Sequence, residues 1–116
     1  MNAKLYLGID VGTYESKGVL TNINGEIVAQ SAKKHQLAIP QVGYAEHNPI
    51  SDWWNDFIFI TKELIKNSKC NPSDIKAVTA SAIGPCMLPV DMNGNPLMNA
   101  VLYGVDTRAA EEISEL

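Results

Sequence analysis

The chain contains 116 residues, a length that fits one domain with one hydrophobic core, since domains usually contain about 50 to 250 residues. Its 13 acidic and 9 basic residues give a net charge of -4, which argues against nucleic-acid or anionic-membrane binding because such surfaces need clustered positive charge. Small molecules and other proteins are therefore the expected partners. The first residues, MNAKLYLGID, lack the layout of a signal peptide and are too short for a membrane span, so we expect a cytoplasmic location.

Three short strand patterns open the chain and predict an antiparallel meander. KLYLGID is a mostly apolar segment, and KGVLTN and EIVAQSAK follow it as further strand-like segments. Residues 22–25, NING, offer the turn between the second and the third strand.

A long amphipathic helix is predicted next, in the segment HNPISDWWNDFIFITKELIKNS. Its apolar residues recur at helical spacing, and Asn48 and Pro49 suit the N-cap and the first helical position. Pro72 prevents this helix from continuing further along the chain. The following segment, IKAVTASAI, has small and β-branched residues without polar alternation, which is typical of a strand covered on both faces. A helix that leads back to such a strand indicates a parallel crossover.

Two further elements complete the predicted fold. CMLPVDMNGNPLMNAVLY predicts a second hairpin, with its turn at MNGNP. DTRAAEEISEL predicts a helix from about Arg108, with Asp106 or Thr107 as its cap. Before the long helix, we expect Glu46 to favour the positive N-terminal end of that helix and His47 to be solvated.

The segment GIDVGTYESKG carries the first candidate site. Asp10 ends a buried strand, where its carboxylate can hold a hydrated divalent cation, and Gly12 lets the backbone come close to phosphate oxygens. Thr13 and Ser16 add hydroxyl groups, and Lys17 adds a positive charge. The sequence contains neither G-x-x-x-x-G-K-[ST] nor G-x-G-x-x-G. The same pattern is also typical of an ordinary hairpin turn with Asp10 as the turn former.

Four segments of the chain are similar to those of a known family, in the same order. They are GIDVGTYESKGVL, GYAEHNPISDWW, VDMNGNPLMNAVLY and DTRAAEEI. Through them the chain resembles the N-terminal part of the FGGY carbohydrate kinases, whose segments read Gly-Ile-Asp-x-Gly-Thr-x-x-x-Arg/Lys, Gly-Trp-x-Glu-x-Asp-Pro-x-x-Trp-Trp, Asp-x-x-Gly-x-Pro-Leu-x-x-Ala-Ile-Leu-Trp and Asp-x-Arg-Ala. The resemblance covers nearly the whole chain.

This resemblance implies an α/β fold, the RNase H-like domain of the actin and hexokinase superfamily, in which a three-stranded antiparallel meander is extended by parallel strands with helices. Residues 1–116 would be a truncated N-terminal part of the first kinase domain, and the second domain would be absent. The resemblance also implies ATP and Mg²⁺ as cofactors. Asp10 would bind the magnesium ion or its water. The residues that would approach the nucleotide phosphates are Gly12, Thr13, Ser16 and Lys17.

The implied substrate is a sugar or polyol whose hydroxyl group receives the phosphoryl group. After the small-residue strand the family places a substrate-reading pair, Arg-Glu in glycerol kinases and Met-His in xylulose kinases, whereas Gly84 and Pro85 stand near this place in our chain. The family's Trp-Asn-Asp is replaced by YGVD, with Tyr103 at the aromatic position. Asp106 and Arg108 would lie near the sugar end of the cleft. We therefore expect xylulose or a related ketose as the acceptor, and not glycerol.

Arg108 allows two interpretations. Its guanidinium group could neutralise negative charge in the cleft. It could instead pair with Glu111 or Glu112 along the last helix, where residues three or four apart are neighbours. The sequence favours neither interpretation.

The family's catalytic base, an aspartate, and most of its adenine-binding second domain lie beyond the segment that the chain resembles. None of the 116 residues is therefore expected to be the base, and this chain alone is expected to be inactive. The missing C-terminal part of the same protein would be its partner, and open apolar surface would also allow a homodimer. A non-catalytic nucleotide- or sugar-sensing module of the same superfamily is the alternative.

Overall fold

The computed structural model describes residues 3–116, which form a four-stranded sheet, a smaller three-stranded sheet and one long helix. The strands are β1 (Leu5–Val11), β2 (Glu15–Asn22), β3 (Ile27–Lys34), β4 (Glu46–His47), β5 (Ile75–Ala82), β6 (Cys86–Met87) and β7 (Ala100–Leu102). The helical segments are a π-helix (Pro49–Trp54), α1 (Asn55–Ser68), a 3₁₀ turn (Pro72–Asp74) and α2 (Ala110–Ser114). No helix among the described residues is both long and apolar enough to cross a lipid bilayer.

The larger sheet has the strand order β3-β2-β1-β5 and confirms the predicted meander. β1, β2 and β3 pair antiparallel, and β5 pairs parallel with β1. The turn between β2 and β3 is held by the side-chain oxygen of Asn22, which accepts hydrogen bonds from the N–H groups of Asn24 and Glu26 at 2.9 and 3.0 Å. Gly25 has a φ of 80° in this turn, a left-handed conformation that glycine adopts without steric cost.

The long helical segment begins where the sequence predicts, but with wider turns. The side chain of Asn48 accepts hydrogen bonds from the N–H groups of Ile50 and Ser51, as expected of an N-cap. The first 6 residues form a π-helix, and the regular helix α1 starts at Asn55. Apolar spacing alone does not distinguish these two kinds of turn. The C-cap residue Lys69 has a left-handed φ of 55°.

The hydrophobic core lies between α1 and one face of the larger sheet. Its buried members are Leu5, Leu7, Ile9, Val11, Leu20, Ile60 and Leu64. β2 approaches α1 closely at Gly18, where an added Cβ atom would overlap the side chain of Ile60 and lie 3.2 Å from Cδ1 of Leu64. This approach of strand and helix therefore requires glycine.

β5 forms as predicted, parallel to β1, but most of its residues are exposed. α1 packs against β2 and β3, and among residues 3–116 β5 is the edge strand on the far side of β1. Val78, in the middle of the strand, is 55% exposed. The expectation that this strand is covered on both faces is wrong for these residues. The reason is that burial depends on which elements lie over a strand and not on the strand's composition alone.

The smaller sheet has the strand order β4-β7-β6. β6 and β7 pair antiparallel, which confirms the predicted second hairpin. The carboxylate of Asp91 holds its turn by accepting hydrogen bonds from the N–H groups of Asn93 and Asn95. β4 pairs with β7 and was not predicted, because a strand of 2 residues is too short to show a pattern.

The last helix, α2, begins later than predicted. Its first residue is Ala110 instead of a residue near Arg108, and it has no side-chain cap. The predicted cap Asp106 does accept a 3.0 Å hydrogen bond from the backbone N–H group of Arg108, but this contact lies before the first residue of α2. The same carboxylate also accepts hydrogen bonds from the side chain of Arg108 and from the N–H group of Ala45. The other predicted cap, Thr107, donates its hydroxyl group to the carbonyl oxygen of Gly43.

Candidate functional site

Three polar side chains stand in a row on the open face of the larger sheet. Asp10 on β1 is paired with Lys17 on β2 and with Ser81 on β5, and all three residues are exposed. Paired residues on neighbouring strands project to the same face, so these side chains are neighbours. Ser81 donates a 2.6 Å hydrogen bond from Oγ to Oδ1 of Asp10. The row places a carboxylate, which can bind a divalent cation, beside an ammonium group, which attracts phosphate.

The loop between β1 and β2 adjoins this row. The N–H group of Gly12 donates to the carbonyl oxygen of Glu15 at 2.9 Å, and a Cβ atom on Gly12 would lie only 2.7 Å from that oxygen. Only glycine fits this corner. Within residues 3–116, the N–H groups of Thr13 and Tyr14 have no backbone acceptor. The loop therefore presents free backbone donors near Asp10 and Lys17, an arrangement that suits an anion.

Two histidines hold this loop from the inside. His35 Nε2 lies 2.8 Å from the carbonyl oxygen of Gly12, and His47 Nε2 lies 2.8 Å from that of Thr13. The backbone N–H group of His35 donates to the carbonyl oxygen of Tyr14 at 2.9 Å. The two imidazole rings meet edge to face, with centroids 4.8 Å apart. Three successive carbonyl groups of the loop are thus fixed by these two residues.

The expectation that His47 is solvated is wrong, since its side chain is completely buried. Its ring is enclosed by the loop, by His35 and by Trp53, whose indole Nε1–H donates to His47 Nδ1 at 3.1 Å. Burial lowers the pKa of His47. The ring is therefore neutral at neutral pH, with its proton on Nε2, where it is donated to Thr13.

Asp56 on α1 is a buried carboxylate next to His35, with 1% of the residue exposed. Its Oδ2 atom accepts a 2.8 Å hydrogen bond from Ser16 Oγ and lies 2.8 Å from His35 Nδ1, and Lys33 Nζ lies 3.2 Å from Oδ1. A buried carboxylate needs such partners because desolvation of an unpaired charge costs several kcal/mol. Sequence analysis missed both Asp56 and His35. The spacing of four residues from Asp56 to the core residue Ile60 is a signal that places Asp56 on the buried face of the helix.

Ser16 is placed differently from the other residues predicted to approach phosphate. Asp10 and Lys17 face the open side of the sheet, whereas the Ser16 side chain is completely buried and donates to Asp56. The alternation of strand β2 explains this difference, because Ser16 points to the same side as the core residue Leu20. The hydroxyl group of Ser16 is therefore directed to the core in this structure.

A second polar cluster forms around Arg108. Its Nη2 donates to Asp106 Oδ2 and to Glu46 Oε2, each at 2.7 Å, and its guanidinium carbon lies 3.9 Å from the centroid of the Tyr44 ring. The N–H group of Ala45 adds a 2.7 Å hydrogen bond to Asp106. The hydrogen bonds from Arg108 lower the pKa of Asp106 to about 2, and those to Asp106 and Glu46 raise the pKa of Arg108. Asp106 and Arg108 are therefore both charged at neutral pH.

This cluster contradicts one interpretation of Arg108. Within residues 3–116, Arg108 forms salt bridges with Asp106 and Glu46 and not with Glu111 or Glu112. Glu46, which we expected to act at the helix N-terminus, is 8% exposed, and its carboxylate is used by Arg108 and by the side chain of Asn99.

Two apolar clefts lie beside these clusters and share the residue Cys86. The smaller has a volume of about 270 Å³ and is lined in part by Val11 and Ala82, at the ends of β1 and β5. The larger has a volume of about 530 Å³. The predicted sugar-end residues that line the larger cleft are Pro85, Tyr103, Asp106 and Arg108. The remaining one, Gly84, adjoins this cleft through its peptide bond to Pro85.

Comparison with known proteins assigns the family. The model of the N-terminal domain of the FGGY family of carbohydrate kinases matches residues 5–116. The chain belongs to the FGGY family of carbohydrate kinases. This FGGY chain is 33% identical over 109 residues to the xylulose kinase of Bacillus subtilis (strain 168), which covers 94% of the chain and 21% of that protein. It is 36% identical over 107 residues to the glycerol kinase of Brucella anthropi, which covers 91% of the chain and 21% of that protein.

Solved structures share the fold of the FGGY chain. The gluconate kinase from Lactobacillus acidophilus superposes with a TM-score of 0.86, and a xylulose kinase from the same species with a TM-score of 0.85, each at 28% identity. Each match covers 97% of the FGGY chain and 22% of the solved chain. The fold is therefore that of the FGGY sugar kinases, which is actin- and hexokinase-like, and the chain spans about a fifth of the length of these relatives.

Proposed function

We propose that this chain is the N-terminal part of an ATP-dependent kinase that transfers the γ-phosphoryl group of ATP to a hydroxyl group of a ketose such as xylulose. Membership of the FGGY family supports carbohydrate phosphorylation. The observation that carries the proposal is the row of Lys17, Asp10 and Ser81 beside a loop with a glycine corner. Residues 1–116 would form part of the first kinase domain, and a second domain would complete the enzyme.

The chemical groups at this row fit ATP and Mg²⁺. Asp10 offers an exposed carboxylate, the hard oxygen ligand that Mg²⁺ prefers, and would hold the ion or its bound water. Lys17 and the free N–H groups of Thr13 and Tyr14 would bind phosphate oxygens, while Gly12 shapes the corner that brings the backbone close. When bound, Mg²⁺ neutralises negative charge on the phosphates.

The residues of this chain would act by position and charge, because phosphoryl transfer needs little covalent chemistry from the protein. Lys17 and the loop N–H groups would stabilise the charge that spreads over the phosphoryl oxygens. Ser16 would act indirectly, since its hydrogen bond to Asp56 fixes β2 at the base of the loop. The catalytic base would lie outside residues 1–116, so this chain alone should show no sugar-dependent ATP turnover.

The larger cleft, whose lining includes Pro85, Tyr103 and Arg108, would receive the sugar. The charge of Arg108 is already paired with Asp106 and Glu46, which suits an uncharged sugar better than a phosphorylated one. Neither Gly84 nor Pro85 has a charged side chain, whereas glycerol kinases of the family have an Arg-Glu pair near this place. This difference supports a ketose over glycerol.

The test uses the full-length protein with ATP, Mg²⁺ and, in turn, xylulose, ribulose and glycerol, with ADP release as the readout. The proposal expects saturable turnover of a ketose that depends on ATP and Mg²⁺, and a kcat/KM for glycerol that is lower by about tenfold or more. Efficient turnover of glycerol would show that the acceptor is wrongly assigned. Binding of nucleotide or sugar without turnover would favour a non-catalytic sensing module.

A further inference from the structure

The sequence motifs do not explain why two histidines and a buried aspartate lie directly below the loop between β1 and β2. His35 and Asp56 are almost completely buried, with side chains 4% and 1% exposed. His35 connects them to the loop: Nδ1 is 2.8 Å from Asp56 Oδ2, and Nε2 is 2.8 Å from the carbonyl oxygen of Gly12. The carbonyl oxygen of Gly12 can only accept, so Nε2 donates to it, while Nδ1 is held against the carboxylate of Asp56.

The carbonyl groups of Gly12 and Thr13, held by the rings of His35 and His47, determine where the next two N–H groups of the loop point. In a planar trans peptide, the C=O of one residue and the N–H of the next point in opposite directions. The carbonyl of Gly12 is bound on the inner side by His35, so the N–H of Thr13 points to the outer side. The carbonyl of Thr13 is bound by His47, so the N–H of Tyr14 points outward as well. Neither of these two loop N–H groups has a backbone acceptor within residues 3–116.

We propose that His35, held by Asp56, is a positioning residue that orients the loop N–H groups toward the phosphates of the nucleotide. The proposal rests on the proposed function, since it assigns a cause to the geometry of the same site. His35 itself does not touch the nucleotide, because its ring lies on the inner side of the loop. A donor orientation that is fixed before binding reduces the entropic cost of ordering the loop.

The experiment compares the full-length wild type with His35→Phe, which keeps a flat ring but removes both ring nitrogens and so both contacts, to Gly12 and to Asp56. The expected result is a rise of about tenfold in the KM for ATP and in the Kd for ADP measured by calorimetry, with the KM for the sugar within about twofold. His35→Gln should recover part of the loss, because its amide nitrogen can still donate to the carbonyl of Gly12. The matched control is Ile60→Val, a buried change on α1 that removes none of these hydrogen bonds.

An unchanged Kd for ADP in folded His35→Phe would overturn the proposal. It would also be overturned if Ile60→Val raised this Kd as much as His35→Phe at a similar loss of Tm, because His35 would then have only a structural role. If His35→Phe does not fold, His35→Gln is the deciding variant. The proposal expects its Kd for ADP to rise by about two- to fivefold, and an unchanged Kd would overturn it. If the wild type binds ADP but phosphorylates no sugar, the proposed kinase function is wrong, and the Kd for ADP still tests the role of His35. A wild type that binds no nucleotide would overturn both.

Discussion

The hydroxyl group of Ser16 donates a 2.8 Å hydrogen bond to the carboxylate of Asp56, which lies 40 residues further along the chain. This contact ties β2 to α1 directly below the loop that carries Gly12 and Thr13. Ser16 belongs to the segment whose motif predicts phosphate binding, yet its side chain is part of the core. The same strand thus serves the candidate site on one face, through Lys17, and the stability of the domain on the other.

Ser16→Ala should therefore change stability more than nucleotide binding. Loss of one donor to a buried carboxylate is expected to lower the free energy of unfolding by about 1 to 3 kcal/mol, while the KM for ATP changes by less than about twofold. Urea denaturation and steady-state kinetics of the full-length protein measure the two effects. A large rise in KM with unchanged stability would instead place the Ser16 hydroxyl group at the phosphates.

Gly18→Ala should destabilise the domain by overpacking. The added methyl group would overlap Ile60 and press on Leu64, and forced repacking of a filled core costs about 1 to 3 kcal/mol. Gly8→Ala is the matched control, because the same methyl group on β1 would meet only Val19 Cγ2 at an ordinary 3.7 Å. Thermal and urea unfolding measure both variants. Equal stability of the two would show that β2 and α1 do not pack as closely as described.

The salt bridge of Asp106 and Arg108 predicts a specific dependence of stability on pH. The pKa of Asp106 is lowered from 3.8 to about 2 in the folded protein, mainly by the hydrogen bond from the Arg108 side chain. A lowered folded-state pKa contributes stability that is fully present above about pH 4 and is lost as the pH falls toward 2. The Tm difference between wild type and Asp106→Asn should shrink over this range. A difference that stays constant from pH 6 to about pH 2 would contradict the role of the ionised carboxylate.

The sequence was sufficient for elements whose pattern is local. The alternation and turn residues of β1, β2 and β3, the apolar spacing of α1 and the cap at Asn48 lie within a few residues of one another, and each of these elements was predicted. The contacts of His35 and Asp56, in contrast, were not predicted from the sequence. His35 reaches Gly12 across 23 residues, and Ser16 reaches Asp56 across 40, so no local pattern contains these pairs.

The predicted start of α2, near Arg108, is wrong for a related reason. A residue such as Asp106 can cap a helix, but a nearby Arg108 and the N–H group of Ala45, which is 61 residues away, compete for its carboxylate. The outcome depends on the pairing of β4 with β7, which brings Ala45 and Glu46 next to Arg108. Propensity describes what a residue can do locally, and tertiary contacts decide which option is used.

The exposed carboxylate of Asp10 carries the proposed magnesium site. Asp10→Asn keeps the size and still accepts the hydrogen bond from Ser81, but it removes the negative charge. If this charge holds the magnesium complex, kcat of the full-length protein at saturating ATP and Mg²⁺ should fall by about a hundredfold, which corresponds to about 3 kcal/mol of transition-state stabilisation. If Asp10 is only a turn former, asparagine serves equally well and kcat should stay within about a factor of three.

The control for this prediction is Asp74→Asn, the same chemical change in the 3₁₀ turn that precedes β5, at the opposite end of the sheet from Asp10. Asp74→Asn should leave kcat within about twofold of the wild type, because Asp74 is remote from the row formed by Lys17, Asp10 and Ser81. Thermal unfolding must show that both variants are folded. A folded Asp10→Asn variant with a kcat close to that of Asp74→Asn would mean that the loop between β1 and β2 is an ordinary hairpin corner, and the proposed magnesium and phosphate site would be wrong.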